Sequence, residues 1–287
     1  MNNSPTSRGS APLRANGATT PKPSAAGAAS YSGLGGRCTL VGAGPGDPEL
    51  LTIKAAKAIA SATVLYVDDL VNPAVLEHAS PSARIVQVGK RGGCKSTPQA
   101  FIHKLMVQAV REGENVVRLK GGDPFIFGRG GEEVEHLREE GIEVQVINGI
   151  TSGLAGLTSL GAPLTHRDHA HGVVFVTGHA KPGDTGTDWA ALSHTAQQAK
   201  LTLVIYMGVS SLHTIQNGLL QGLPASTPVA IVQHASLPQQ REAMTTLGQL
   251  EATMTREGLQ SPSIIVVGDV VQGARAWVQQ DAARRAA

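Results

Sequence analysis

Charged residues stand directly after short apolar runs at several points in this sequence. Asp68 and Asp69 follow ATVLYV, Lys90 and Arg91 follow ARIVQVG, and Asp123 and Arg129 lie in a glycine loop that follows NVVRLK. Carboxylates and cations gathered at the ends of strands are the types needed to move a proton or to hold a charged substrate. The loop from Lys120 to Glu132 is the most elaborate of these segments. Gly121, Gly122, Gly128, Gly130 and Gly131 free its backbone, and Phe125 and Phe127 sit among them. A simple turn needs neither five glycines nor two phenylalanines, so the loop reads as one wall of a small-molecule site.

A second cluster, HRDHAH, places His166, Arg167, Asp168, His169 and His171 close together. The spacing matches neither HExxH on a helix nor a Cys/His finger, so no metal site is expected. Arg167 and the imidazoles suit the carboxylates of an anionic partner better. No serine lies in a GxSxG elbow and neither Cys38 nor Cys94 adjoins a candidate base, so no hydrolytic triad is expected.

The elements that position these groups follow from the pattern of apolar residues. RCTLVGAG reads as a strand entering a glycine turn, Leu50 to Ala62 as a helix, and ATVLYV, ARIVQVG, NVVRLK and IEVQVING as further strands. A helix from Pro98 to about Glu112 stops at Gly113, EVEHLREE makes another, and Thr151 is expected to cap SGLAGLTSLG. Short connections between alternating strands and helices predict a mostly parallel sheet. GAPLTHRDHAHG breaks the alternation and marks a domain junction. Beyond it GVVFVTGHA, LTLVIYMG, STPVAIVQ and SPSIIVVGDVV read as strands and Ser211 to Gln221 as a helix, with extended segments suited to antiparallel pairing. The expected organisation is an N-terminal tail over 1–36, an α/β domain over 37–163, a second α/β domain with a mixed sheet over 164–274, and a tail over 275–287.

Composition excludes several classes of function. The 287 residues allow one large or two medium domains. A net charge of +2 with dispersed basic residues is no nucleic-acid footprint, and aromatics at 3% supply no stacking platform. Two cysteines are too few for a disulfide framework, which suits a reducing cytoplasm. No apolar run reaches membrane-spanning length, and the first 36 residues, rich in Ser, Pro, Ala and Gly, read as a disordered tail rather than a signal peptide. The first glycine turn, VGAGPGDPELLT, is not a dinucleotide fingerprint. Asp47 and Pro48 stand where a phosphate-binding helix should expose its N–H groups.

Taken in order, GAGPGDPELLT, the strand end at Asp68, VGKRGG, VVRLKGGDPFIFGRGGEE, NGITSGLAG, GAPLTHRD, VTGH and YMG resemble the motifs of the tetrapyrrole methyltransferases. The resemblance spans Arg37 to about Val271. It implies two α/β domains with a cleft between them that holds S-adenosylmethionine in a folded conformation. RLKGGDPFIFGRGGEE and GAPLTHRD point to methylation of uroporphyrinogen III at C2 and then C7, giving precorrin-2, for siroheme or cobalamin synthesis. A later precorrin methyltransferase, or a ribosomal RNA ribose methyltransferase of the same superfamily, is the alternative. The family also implies a homodimer. Its fused form carries an added amino-terminal module for which the first 36 residues leave no room, so the reaction is expected to stop at precorrin-2.

Carried over residue by residue, the resemblance puts Pro45, Gly121, Gly122, Asp123, Ile126, Thr151, Ser152, Met207 and Ala235 at the cofactor. Asp68 and Lys90 fall where a general base and a general acid are proposed in the family, and orientation of the substrate is an equally open role for both. Arg91, Arg129, His166 and Arg167 are expected at the substrate's carboxylates, from a wider supply of cations that includes Arg118 and Lys120. Three departures stand out: Val67 where a tyrosine usually precedes the aspartate, NGITS for the commoner PGITA, and His234-Ala235 for Asn-Gly.

Overall fold

The structure of the protein, a computed structural model, describes residues 36–89, 97–180 and 183–273. The expected tails, apart from Gly36, lie outside these residues, as do Lys90, Arg91 and Cys94.

The first half alternates as its sequence pattern requires. β1 (Arg37–Gly42) leads to α1 (Ile53–Ser61), β2 (Val64–Val67) and β3 (Arg84–Gln87). α2 (Gln99–Arg111), β4 (Asn115–Lys120), α3 (Gly130–Glu139), β5 (Val144–Ile147) and α4 (Ser152–Thr158) follow. The five strands form a wholly parallel sheet in the order β3-β2-β4-β1-β5. Both of its faces are apolar because both are covered. Cys38, Leu40, Val64, Tyr66 and Val116 meet α2 and α3, while Val41, Leu65, Val67, Val117 and Leu119 meet α1. The connections leaving the neighbours β1 and β4 run in opposite directions along the sheet, which opens a crevice at their carboxyl ends.

The second half contains β6 (Gly172–Thr177), α5 (Trp189–Ala199), β7 (Leu201–Tyr206), α6 (Leu212–Leu219), β8 (Pro228–Gln233), β9 (Arg241–Thr246), α7 (Leu250–Glu257) and β10 (Ser263–Val267). Its sheet is mixed, in the order β6-β7-β10-β8-β9. Only β6 and β7 pair in parallel, because β10 inserts between β7 and β8 and opposes both. The chain is therefore an α/β protein built on two sheets. One face of the second sheet packs on α5, α6 and α7 through Leu203, Ile205, Ile231, Ile215 and Leu250. The other face packs on Leu157 and Leu160, from α4 and the turn that ends it. A Cβ at Gly156 would collide with Ile264, so glycine there lets α4 lie close against β10.

Candidate active site

Three glycine-bearing loops meet where β1, β4 and β5 end. Gly44 and Gly122 form an isolated bridge, with Gly122 N–H donating to the Gly44 carbonyl at 2.6 Å. A Cβ on Gly42 would come within 2.7 Å of the Gly122 carbonyl oxygen, and one on Gly149 would also strike that oxygen. The chain packs backbone on backbone here, which only glycine permits. Asp123 fastens the junction and is 6% exposed. One carboxylate oxygen accepts the Phe125 N–H at 2.8 Å, and the other accepts from the Asn148 amide and the Gly149 N–H, both at 3.1 Å. The residue thus shapes the cradle through contacts within the chain.

The second half closes on the same place. Asp47 N–H donates to the Ser236 hydroxyl at 3.0 Å, tying the Pro45 loop to the segment after β8. Ile126 packs into the core of the second sheet together with Tyr206 and Ala235. Thr151 sits at the cap position of α4, but its side chain does not cap the helix as expected. Its hydroxyl lies 2.7 Å from Tyr206 Oη, which accepts the Gly153 N–H at 2.7 Å. The capping acceptor comes from β7, and the threonine is drawn to it. Tyr206, whose ring also meets Phe127 at 4.9 Å, is a site residue that sequence reasoning passed over. It stands in the YMG motif beside Met207, where only the more flexible neighbour drew notice.

Met207 is 47% exposed and takes a positive φ of 54°, as do His234 at 53° and Ser236 at 66°. Non-glycine residues rarely adopt this conformation, and it costs about 1–3 kcal/mol at each. Phe127 at 53° and Arg129 at 58° share it on the glycine loop. Five such positions around one junction mark a backbone held to a required shape.

Beside the cradle lies a chain of alternating charges. Glu133, in the first turn of α3, is fully buried. Its Oε1 accepts from Arg118 Nε at 3.1 Å and from Lys120 Nζ at 3.2 Å, while Oε2 faces Lys120 Nζ at 3.1 Å as an ion pair without an aligned hydrogen bond. Gln99 donates a further hydrogen bond to Glu133 at 2.7 Å. Arg118 Nη2 and Lys120 Nζ then reach Asp68 Oδ2, at 3.4 and 3.9 Å. Asp68 keeps a side chain 37% exposed, whereas Arg118, Lys120 and Glu133 are almost wholly enclosed. Burial pushes the Lys120 ammonium below its ordinary range and the adjacent Arg118 adds to this, against the pull of Glu133 and Asp68. Arg118 and Lys120, counted among the cations for substrate carboxylates, are instead enclosed and paired within the chain. On β4, at the middle of the sheet, two such cations can be buried only with partners of opposite sign.

The remaining expected substrate contacts are spread out. Arg129 is paired with Glu132 at 2.5 Å and lines a concavity of about 360 Å³ with Phe125, Glu132 and Glu135. His166 and Arg167 are exposed, and the partners of His166 are local: a bridge to Ala170 and a stack on His169. Cys38 is buried, and burial, with Glu133 nearby, pushes its thiol up to about 12, which makes it inert.

Comparison with known proteins bears on this arrangement. Residues 37–251 match the family of tetrapyrrole (corrin/porphyrin) methylases. Over 240 residues the chain is 53% identical to the uroporphyrinogen-III C-methyltransferase of Pseudomonas aeruginosa, covering 83% of this chain and 96% of that protein. It is 48% identical to a siroheme synthase of Azotobacter vinelandii over 83% of this chain, a stretch that amounts to 50% of that longer protein. Among solved structures, uroporphyrin-III C-methyltransferase from Thermus thermophilus in complex with S-adenosylhomocysteine superposes with a TM-score of 0.69 at 40% identity, covering 83% of this chain and 99% of that one.

Proposed function

Because the chain belongs to the tetrapyrrole (corrin/porphyrin) methylase family, we propose that it transfers methyl groups from S-adenosylmethionine to carbon atoms of uroporphyrinogen III. Methylation at C2 and then C7 yields precorrin-2 for siroheme or cobalamin synthesis. The observation that carries this reading is the 53% identity to a uroporphyrinogen-III C-methyltransferase along nearly the whole of that protein.

The residues present fit the cofactor. Gly42 and Gly149 let the strand-end loops pack backbone on backbone, Gly122 turns between them at a positive φ of 67°, and Ala235 and the exposed Met207 offer apolar surface beside them. Gln233 Oε1, at the end of β8 just before His234, is buried without a hydrogen-bond partner. Bound S-adenosylmethionine supplies an electrophilic methyl group that needs little activation, so the protein's main contribution is alignment. Pro45, Gly121, Gly122, Asp123, Ile126, Thr151, Ser152, Met207 and Ala235 form the cofactor side in this reading, with Asp123 acting through the backbone it holds and Thr151 through its contact with Tyr206. Asp68 faces the macrocycle, where its carboxylate orients the pyrrole or takes up the proton released as the ring carbon is substituted. Lys90 is its proposed partner in acid–base work, and Arg91, Arg129, His166 and Arg167 are the proposed contacts to substrate carboxylates.

We further propose a division into two domains at residues 163 and 164, with α4 as the strap between them, and a cytoplasmic homodimer as the working form. The activity is tested by anaerobic incubation with uroporphyrinogen III and methyl-labelled S-adenosylmethionine. A doubly labelled precorrin-2 is expected. Label entering a later precorrin or RNA, with none in uroporphyrinogen III, would overturn the reading.

A further inference from the structure

Four charges alternate in sign from the core to the surface: Glu133, then Arg118 and Lys120, then Asp68. Of the four, only Asp68 opens to solvent, so the enclosed Arg118, Lys120 and Glu133 offer no surface to a substrate. Arg118 is forked between the two carboxylates, with Nε on Glu133 and Nη2 on Asp68. Asp68 Oδ1 accepts the N–H of Asp69 at 3.3 Å, so both of its oxygens are held. An aspartate more than a third exposed at a strand end would otherwise sample several rotamers. We propose that Glu133 is a positioning residue, which fixes the carboxylate of Asp68 for methyl transfer by anchoring Arg118 and Lys120.

The physical reason lies in charge balance. Arg118 and Lys120 are enclosed neighbours of like sign, tolerable only while a buried anion stands between them. Without the charge of Glu133, one cation must lose its proton or both must lean toward Asp68. Either response changes the orientation of the carboxylate and its charge environment. Gln99, donating to Glu133, holds the anchor itself in place. The inference rests on the proposed role of Asp68 at the reacting ring and adds to it the residue that sets its geometry.

A double-mutant cycle in single-turnover methyl transfer tests it. Asp68→Asn should slow the transfer by about a hundredfold, and Glu133→Gln by about tenfold. The KM for uroporphyrinogen III and the affinity for S-adenosylhomocysteine by calorimetry should stay within about twofold of wild type. In the Asp68→Asn background, Glu133→Gln should cost nothing more, because its effect passes through a group no longer able to respond. A general weakening of the fold would lower both backgrounds alike. Should Glu133→Gln fail to fold, Arg118→Lys, which keeps the charge but loses the fork, gives the same non-additive pattern at smaller size. A loss that persists in the Asp68→Asn background, or no loss in either variant, overturns the role of Glu133 and leaves Asp68 in place. Normal turnover by Asp68→Asn alone removes the assignment of Asp68, and this inference with it.

Discussion

At the carboxyl ends of β2 and β4, side chains set the site: Asp68 is gripped by Arg118 and Lys120, which Glu133 anchors from below. At the carboxyl ends of β7 and β8, the backbone sets it. Met207, His234 and Ser236 turn through positive φ, with the buried Ala235 among them. The charges of the first region can shift a proton or orient a polar ring, while the shape beside them comes from the glycine loop after β4. The second offers shape and apolar surface but no ionised group buried at the turn. In the proposed reading, chemistry falls to the charges beside β2 and β4, and fit to the turns after β7 and β8 together with the glycine loops. Asp123 belongs with the second kind despite its charge, because its carboxylate is spent on three donors of its own chain.

The largest test of this contrast is Asp68→Asn. It should reduce turnover by about a hundredfold and leave binding of S-adenosylhomocysteine unchanged in calorimetry. Asp123→Ala should do the reverse. Freeing the Phe125 and Gly149 N–H groups and the Asn148 amide should weaken cofactor binding by about 2–3 kcal/mol, and by more than Asp68→Ala does. An equal loss of affinity in both variants would erase the division between chemistry and fit. Tyr206→Phe removes the acceptor of the Gly153 N–H and the partner of Thr151, and should cost about 1–2 kcal/mol in denaturant unfolding, with a parallel loss of cofactor affinity. If stability falls and affinity does not, Tyr206 serves the fold alone.

The smallest expected effect concerns pH. Burial, and next the stacked His136, lower the pKa of His103 below its ordinary value of 6.5, while Glu133 pulls the other way and Arg129 and Glu132 make smaller contributions. The unfolded chain therefore binds this proton first. The stability supplied by neutral His103 is complete above that ordinary value and is lost as pH falls below it. Thermal melts of His103→Gln should decline less steeply than wild type between about pH 7 and pH 5.

Elements of the first half were legible because local pattern decides them. The apolar runs before Asp68, Asp123 and Asn148 are strands, and the glycines after them converge as a strand-end site requires. The antiparallel character of the second sheet was also visible in its extended segments. α5 and α7 passed unread, although Asp188 caps the former, accepting the Ala191 N–H at 3.0 Å, and an Asp before an apolar helical run is a start signal. What no local pattern holds is pairing across the chain. Tyr206 reaching Thr151, and Glu133 claiming the cations of β4, depend on the sheets' packing and not on spacing. Thr151 was misjudged for the same reason: its ordinary capping role was pre-empted by a hydroxyl fifty-five positions away.

Gly156 carries a consequence for how ligands get in. By letting α4 seat against Ile264, it converts the passage between the two sheets from a flexible strap into a dowel set in the second sheet. Parting α4 from the second sheet would draw Leu157 and Leu160 out of their apolar seat, at about 1.5–3 kcal/mol for each. Traffic of a bulky macrocycle and of spent cofactor by bending of the loops at the rim leaves this seat undisturbed. Filling the site is a matter of parting fingers, with the palm held still.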